Sequence, residues 1–258
     1  GTTTSTPCTA VVEETHSDNM FQLTPSATAV DSIQYDNAFR MCFSDPNQGS
    51  ASADYIAENK LATKVAIIYN SSDTYSSGIY QTFATEAKAK GLDVVAAEAF
   101  TADNKTDFSV QIQKAKDAGA ELVFLPIYYQ EASLILASLA EDLMFLTPFT
   151  ANATDEATQK FVADYKEAFG DTPIQFAADA YDCVYVIKAA AEKEDVTPDK
   201  SVSDICDALK KGMTEITYDG LTGKSITWSE DGEPTKEPTV VVVKSGEYQV
   251  LQAEDAAE

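Results

Sequence analysis

The sequence predicts an α/β fold with a doubly wound parallel sheet, on two observations. Short apolar runs that are typical of buried strands alternate with amphipathic helical patterns from Lys64 to Leu143, which indicates successive β-loop-α units. The 258 residues are enough for one large α/β domain or two smaller ones. No apolar run approaches the roughly 20 residues that a membrane-spanning helix requires.

Strands and helices follow one another in regular order in the first half. The helix after the first strand is expected to end at Gly91, because glycine is the usual residue just past a helix C-terminus. Asp107 is expected to cap the next helix, which carries Phe108, Ile112 and Ala115 on one face. Predicted strands cover residues 65–69, 92–96 and 121–126, and predicted helices cover 77–90, 107–119 and 131–143.

The second half changes character after three more predicted helices. Turns are expected at Asp231-Gly232 and Ser245-Gly246, between short strands. At Leu143-Met144 a helical pattern leads straight into a strand pattern, although such connections usually need several residues. The three helices cover residues 155–169, 175–192 and 203–211, and the strands cover 224–228, 239–244 and 247–251.

Charge and residue usage exclude several classes of function. The net charge of −24 argues against binding to nucleic acid or to anionic lipid, both of which need a basic surface. Four cysteines without a CxxC pair, and the single histidine His16, leave no pattern for a Cys/His metal site. We expect buried free thiols, with a disulfide between Cys183 and Cys206 as the alternative. No GxGxxG, Walker or GxSxG motif is present, so the sequence predicts neither a cofactor nor an enzyme.

Eight short segments, in order along nearly the whole chain, resemble the Leu/Ile/Val-binding protein family of ABC transporters. Each segment is weakly specific alone, and their common order carries the resemblance. The segments are 1–7 (GTTTSTP), 23–29 (LTPSATA), 39–40 (FR), 45–49 (DPNQG), 107–109 (DFS), 128–131 (YYQE), 176–182 (FAADAYD) and 220–224 (GLTGK) with Asp231-Gly232.

The resemblance implies the type I periplasmic binding protein fold: two doubly wound Rossmann-like lobes joined by a three-strand hinge. Compared with the family, the chain lacks the opening strand-helix units and roughly 25 to 35 residues near Leu143-Met144. The family's acidic partner for a ligand ammonium falls in that second stretch. One lobe is expected to hold residues 1–44 and 150–232, and the other 45–149 and 233–258.

The resemblance places part of a ligand site on the first lobe. Ser5 precedes a helical pattern whose free N–H groups suit a carboxylate, and either Ser5 or Thr6 could instead cap that helix. The Ser26 carbonyl is expected to accept from a ligand ammonium, while Thr28 offers its hydroxyl and N–H. A proline-containing turn with a capping threonine is the alternative for this loop.

Three aromatic residues complete the predicted site. Tyr75 and Tyr128 follow two strands at the end where parallel sheets bind ligands, and we expect both to cover the ligand from the second lobe, with a half-buried surface position as the alternative for either alone. Phe176 resembles a pocket aromatic of the first lobe, with an ordinary core role as its alternative.

The resemblance implies a non-enzymatic receptor that captures an amino acid, most simply leucine, isoleucine or valine, in the cleft between lobes and delivers it to an ABC importer. The expected partners are this small molecule and the permease, and the protein is expected to be a monomer. The implied location is exported, either periplasmic or as a cell-surface lipoprotein. Alternatives are a ligand-sensing domain of a receptor or regulator, and a binder of another small metabolite.

Overall fold

The structure is a computed structural model that describes residues 2–136, 144–236, 239–244 and 247–250. Helices and strands alternate through residue 147, three helices follow, and two strands end the described chain. The helices are α1 (Ser5–Ser17), α2 (Asp45–Glu58), α3 (Thr74–Ala89), α4 (Ser109–Asp117), α5 (Tyr129–Leu136), α6 (Glu156–Phe169), α7 (Gln175–Lys193) and α8 (Val202–Glu215). The strands are β1 (Gln22–Thr24), β2 (Ala38–Arg40), β3 (Lys64–Asn70), β4 (Asp93–Phe100), β5 (Leu122–Phe124), β6 (Met144–Thr147), β7 (Thr239–Lys244) and β8 (Glu247–Val250).

The chain divides into two units. The first unit holds residues 1–44, 146–241 and 245–250, and the second holds 45–145, 242–244 and 251–258. The lobes predicted above share the boundary after Ser44 with these units and differ in assigning 146–149, 233–241 and 245–250 to the second lobe. The predicted lobes are parts that move relative to each other, whereas these units are defined by contacts. The lobe boundaries therefore stay a prediction.

The second unit is a doubly wound sheet, as the sequence predicts. Its parallel strands lie in the order β4-β3-β5. Val65 and Ile67 of β3 pack against α2 and α3, whereas Ile68 points to the other face, where it packs with Phe108 and Ile135. Since successive side chains of a strand alternate between faces, a continuous apolar run is what a strand covered on both sides requires.

The first unit contains the parallel pair β1 and β2, with Leu23 opposite Phe39. Helices α7 and α8 and the segment around Trp228 bury the apolar side chains of these two strands. This core consists of Leu23, Phe39, Met41, Cys183, Val186, Ala190, Leu209, Met213, Ile226 and Trp228. A third sheet has the strand order β6-β7-β8.

Several local predictions differ from the structure. Helix α3 begins at Thr74, because Asp73 caps it by accepting from the Ser76 N–H at 3.0 Å. Residues 224–228 do not form a strand but make isolated bridges, Tyr218 with Ile226 and Trp228 with Pro234. The predicted turn at 245–246 and the junction at Leu143-Met144, including residues 137–143, lie outside the described residues.

All four cysteines are buried free thiols, as expected. Burial raises the pKa of the Cys183 thiol to about 12 and also raises the pKa of Cys206. These thiols are therefore poor nucleophiles at neutral pH. Among the described residues, no helix has the length and apolar character that crossing a bilayer requires.

Close packing of α2 on α3 depends on Gly49, which generates a stability prediction. A Cβ atom at residue 49 would lie 2.7 Å from the Phe83 nitrogen and 2.8 Å from the Ile79 oxygen, so the helices would have to separate. Gly49→Ala should reduce the free energy of unfolding by about 1–3 kcal/mol, measured by urea denaturation. Ser50→Ala, at the next position of α2, is the matched control, and equal stability of the two variants would contradict this packing argument.

Candidate functional site

Ser5 joins two segments of the first unit that are distant in sequence. It is the first residue of α1, whose N-cap is Thr4 without a side-chain cap, so the alternative in which Ser5 or Thr6 caps this helix is wrong. The Ser5 side chain is buried, and its Oγ accepts hydrogen bonds from the N–H groups of Thr28 and Ala29, both at 3.1 Å. The Ser5 and Thr28 hydroxyl oxygens are 3.4 Å apart. The structure therefore brings Ser5 and Thr28 together, as one site requires.

The loop after β1 is organised by Thr24. Its hydroxyl donates to the Thr2 carbonyl at 2.7 Å and accepts from the Ala27 N–H at 3.2 Å, which closes the turn that contains Ser26. Ser26 is 9% exposed, close to Thr28 in the same loop. Because the loop follows the carboxyl end of a parallel strand, it lies where open α/β sheets bind ligands.

This arrangement is suited chemically to an anion. The Ser5 Oγ already accepts two N–H groups, so its own proton points to the Thr28 hydroxyl oxygen 3.4 Å away, and the Thr28 proton is the one left for a ligand oxygen. The start of α1 adds the partial positive charge of a helix N-terminus. One predicted detail changes: the Thr28 N–H donates to Ser5 rather than pointing to a ligand.

Phe176 lies half-buried in the first turn of α7. Among the hydrogen bonds and ring contacts of the described residues, none joins it to Ser5 or Thr28. One turn further along α7, the Asp179 carboxylate is 3.3 Å from the Lys236 ammonium, which also donates to the Met41 carbonyl at 3.0 Å. Since Met41 follows β2 directly, this contact holds the start of α7 at the carboxyl end of β2.

A second buried carboxylate of α7 orders the loop at residues 220–222. Asp182 accepts from the N–H groups of Leu221 at 3.0 Å and Thr222 at 2.9 Å, and from the Thr222 hydroxyl at 2.7 Å. Thr222 in turn accepts from Lys236 at 2.7 Å. Burial raises the pKa of Asp179 to about 6, although the Lys236 ammonium lowers it. Asp179, Asp182 and Thr222 belong to two of the segments that carry the family resemblance. Together with Lys236 they form the buried polar frame of the first unit.

Arg40 is a residue whose importance the sequence interpretation missed. It is the only arginine of the chain and is 1% exposed. Its guanidinium donates to carbonyl oxygens of the loop that carries Thr28, and its Nε is 3.0 Å from the Glu233 carboxylate. The sequence does contain a signal for a special role of Arg40, because it is a single arginine beside 17 lysines.

In the second unit, Tyr75 and Tyr128 stack with ring centroids 4.9 Å apart. Tyr75 lies in the first turn of α3 rather than in the predicted loop, and Tyr128 directly precedes α5. They come together because β3 and β5 are neighbours in the sheet, so the connections after both strands leave from the same edge. Both rings are half-buried and can offer aromatic surface to an aliphatic group.

Comparison with known proteins identifies a matching family and related sequences. A family model described as "Periplasmic binding protein" matches residues 1–141 and 125–247. A Leu/Ile/Val-binding protein homologue of Brucella melitensis is 29% identical over 251 residues, covering 86% of this chain and 66% of that relative. The chain thus spans just under two thirds of that relative's length.

Solved structures share the fold. A leucine binding protein from Thermotoga maritima matches with a TM-score of 0.84 and 23% identity, over 98% of this chain and 78% of the other. The branched-chain amino acid transporter substrate binding protein of Streptococcus pneumoniae, solved with isoleucine, matches with a TM-score of 0.81 and 23% identity, over 97% and 78%.

The buried Asp179 generates a prediction for pH dependence. Its folded-state pKa of about 6 lies above the unfolded value of about 3.9, so the folded state binds the proton more tightly. Stability from this group is therefore present below about pH 4 and is lost as pH rises through 6. Between pH 7 and 4.5 the wild type should gain about 1–3 kcal/mol of unfolding free energy relative to Asp179→Asn, measured by urea titration.

A variant of an exposed ion pair on α6, Lys160→Gln, is the control for loss of a charge on the same unit. A constant difference in stability between wild type and Asp179→Asn across this pH range would show that Asp179 has no raised pKa.

Proposed function

The chain belongs to the periplasmic binding protein family and has its type I fold, and from this we propose that it captures a branched-chain amino acid and delivers it to an ABC importer. The observation that supports the proposal most is the Ser5–Thr28 hydroxyl pair beside the start of α1. The family consists of solute-binding proteins, which are not enzymes. The relatives named for leucine, isoleucine and valine support the choice of ligand.

The physical reason is the cost of desolvating a charged ligand. A buried carboxylate needs hydrogen-bond donors that are already in place, because its hydration is lost on binding. The Thr28 hydroxyl, which Ser5 holds in place beside the positive end of α1, supplies such a donor. We propose that the ligand carboxylate binds at Ser5, Thr28 and the start of α1, and that the Ser26 backbone carbonyl accepts from the ammonium.

The tyrosine pair is the proposed contribution of the second unit. The stacked rings of Tyr75 and Tyr128 present apolar surface that suits an aliphatic side chain and hydroxyls that suit the polar end. Phe176 is proposed as an aromatic contact that the first unit makes with the ligand. Ligand contacts to both units would favour a closed form, and the closed form is the species we propose to dock on the permease.

The remaining parts of the proposal concern the setting of the protein. We propose an exported protein, in the periplasm or held at the cell surface by a lipid anchor, that acts as a monomer. A sensing domain of the same fold is the alternative, and it would bind the same ligand without stimulating transport. Reconstituting uptake in vesicles with the cognate permease separates these two.

The test of the ligand is a thermal-shift screen against the 20 amino acids and against aliphatic and aromatic carboxylic acids without an amino group. A ligand at 100 times its Kd adds about 2.7 kcal/mol of stability, which is readily measured. We expect leucine, isoleucine or valine to stabilise the protein, with calorimetry giving the affinity. Stabilisation by other compounds only would refute the proposed ligand class.

Ser5→Ala should weaken ligand binding by about 1–3 kcal/mol, measured by calorimetry, because the hydroxyl that positions Thr28 and accepts the Thr28 and Ala29 N–H groups is lost. Thr28→Ala should act in the same direction. The matched control is Thr9→Ala in α1, where the Thr9 hydroxyl bonds only within its own helix, to the Thr6 carbonyl. Wild-type affinity in both site variants would remove these residues from the site.

A further inference from the structure

We propose that Arg40 is the positioning residue of the ligand loop, and that Glu233 holds Arg40 in place. The inference rests on the proposed function only for its effect on ligand affinity. The geometry that carries it lies wholly in the first unit, where one buried guanidinium meets successive carbonyls of the loop and a carboxylate of the C-terminal segment.

The loop is fixed from two sides. Arg40 Nη1 donates to the carbonyls of Ala27, at 3.3 Å, and Thr28, while Nη2 reaches the Val30 carbonyl at 3.5 Å. On the other side, the Thr28 and Ala29 N–H groups donate to Ser5 Oγ at 3.1 Å. Carbonyls and amides of the same peptide groups are thus both engaged, which leaves this stretch of backbone little freedom to rotate.

The chemistry requires an arginine. Its planar guanidinium carries five N–H donors in a fixed fork, so it can serve several carbonyls and a carboxylate at once. A lysine ammonium is a compact charge with three donors and cannot span the same set of acceptors. The chain uses lysine at all 17 of its other basic positions, most of them exposed, and arginine only at this buried one.

The segment at 228–233 contacts both the backbone and the guanidinium of Arg40. Its Glu233 carboxylate lies 3.0 Å from Arg40 Nε, and the Trp228 indole N–H donates to the Arg40 carbonyl at 2.7 Å. The Arg40 N–H donates to the Gly232 carbonyl at 3.1 Å. Gly232 has φ +76°, and a Cβ there would lie 2.3 Å from the Ala38 carbonyl oxygen, so only glycine lets the segment approach β2 this closely.

The experiment compares Arg40→Lys and Glu233→Gln with the wild type in two measurements. Without ligand, amide hydrogen exchange at Thr28 and Ala29 should become at least about tenfold faster in Arg40→Lys, while the amides of β3 in the second unit keep their rates. The affinity for the ligand found in the screen should fall by about 10- to 100-fold. Glu233→Gln should show smaller changes of the same kind, because the carbonyl contacts remain.

Lys211→Gln is the matched control, since Lys211 pairs with Glu194 on the surface of the same unit. Arg40→Gln adds a further comparison, and a larger loss than in Arg40→Lys would show that the positive charge contributes. Folded variants with wild-type exchange at Thr28 and Ala29 would overturn the inference. So would uniformly faster exchange across the first unit, which indicates only lost stability. If the wild type binds no amino acid, the proposed function fails, while the exchange measurements still decide the role of Arg40.

Discussion

A guanidinium taken out of water loses several kcal/mol of hydration, and it is tolerated in a protein interior only where fixed partners replace that hydration. The Nη1 group of Arg40 meets this condition by donating to carbonyls of the loop after β1, and the carboxylate of Glu233 balances the charge at 3.0 Å from Nε without hydrogen-bonding to it. The dependence is mutual, because the carbonyls that satisfy the guanidinium hold the loop in the conformation that presents Thr28 to Ser5. The candidate site is therefore built on a buried cation, and its backbone geometry follows from the need to satisfy that cation.

Parallel pairing of strands is the second constraint, and it acts in both units. Because the connections after parallel strands leave from one edge of the sheet, residues far apart in sequence meet there. In the first unit this edge gathers the loop after β1, the end of β2 and, through Lys236, the start of α7. In the second unit the neighbouring strands β3 and β5 bring Tyr75 and Tyr128 into a stack. The same topology thus assembles a polar set in one unit and an aromatic set in the other.

The parts predicted from sequence are those that local patterns determine. The apolar run at residues 65–69 predicts a buried strand, and Val65 and Ile68 do pack into separate cores. The positions of Tyr75 and Tyr128 after strands were predicted, but their stacking needed the strand order β4-β3-β5, which no local pattern contains. The helical pattern predicts that α3 begins at Ser77, but the helix begins at Thr74 because Asp73 caps it. The role of Arg40 could not be derived, since its partner Trp228 is 188 residues away and Glu233 is further still.

The buried carboxylates of α7 extend the same argument to stability. A buried ion pair such as Lys236–Asp179 often stabilises a protein less than well-packed apolar residues of the same volume would. The ion pair instead fixes the position of α7. Apolar contacts persist after small displacements, whereas Lys236 must contact Asp179, Thr222 and the Met41 carbonyl at the same time. Asp182 adds the same requirement for the loop at 220–222. If binding energy is to be used for closing on a ligand, the frame that presents the donors must not move when the ligand arrives. The hydrogen-bonded buried charges of the first unit keep this frame rigid. Burying them makes the folded protein less stable than apolar residues of the same volume would.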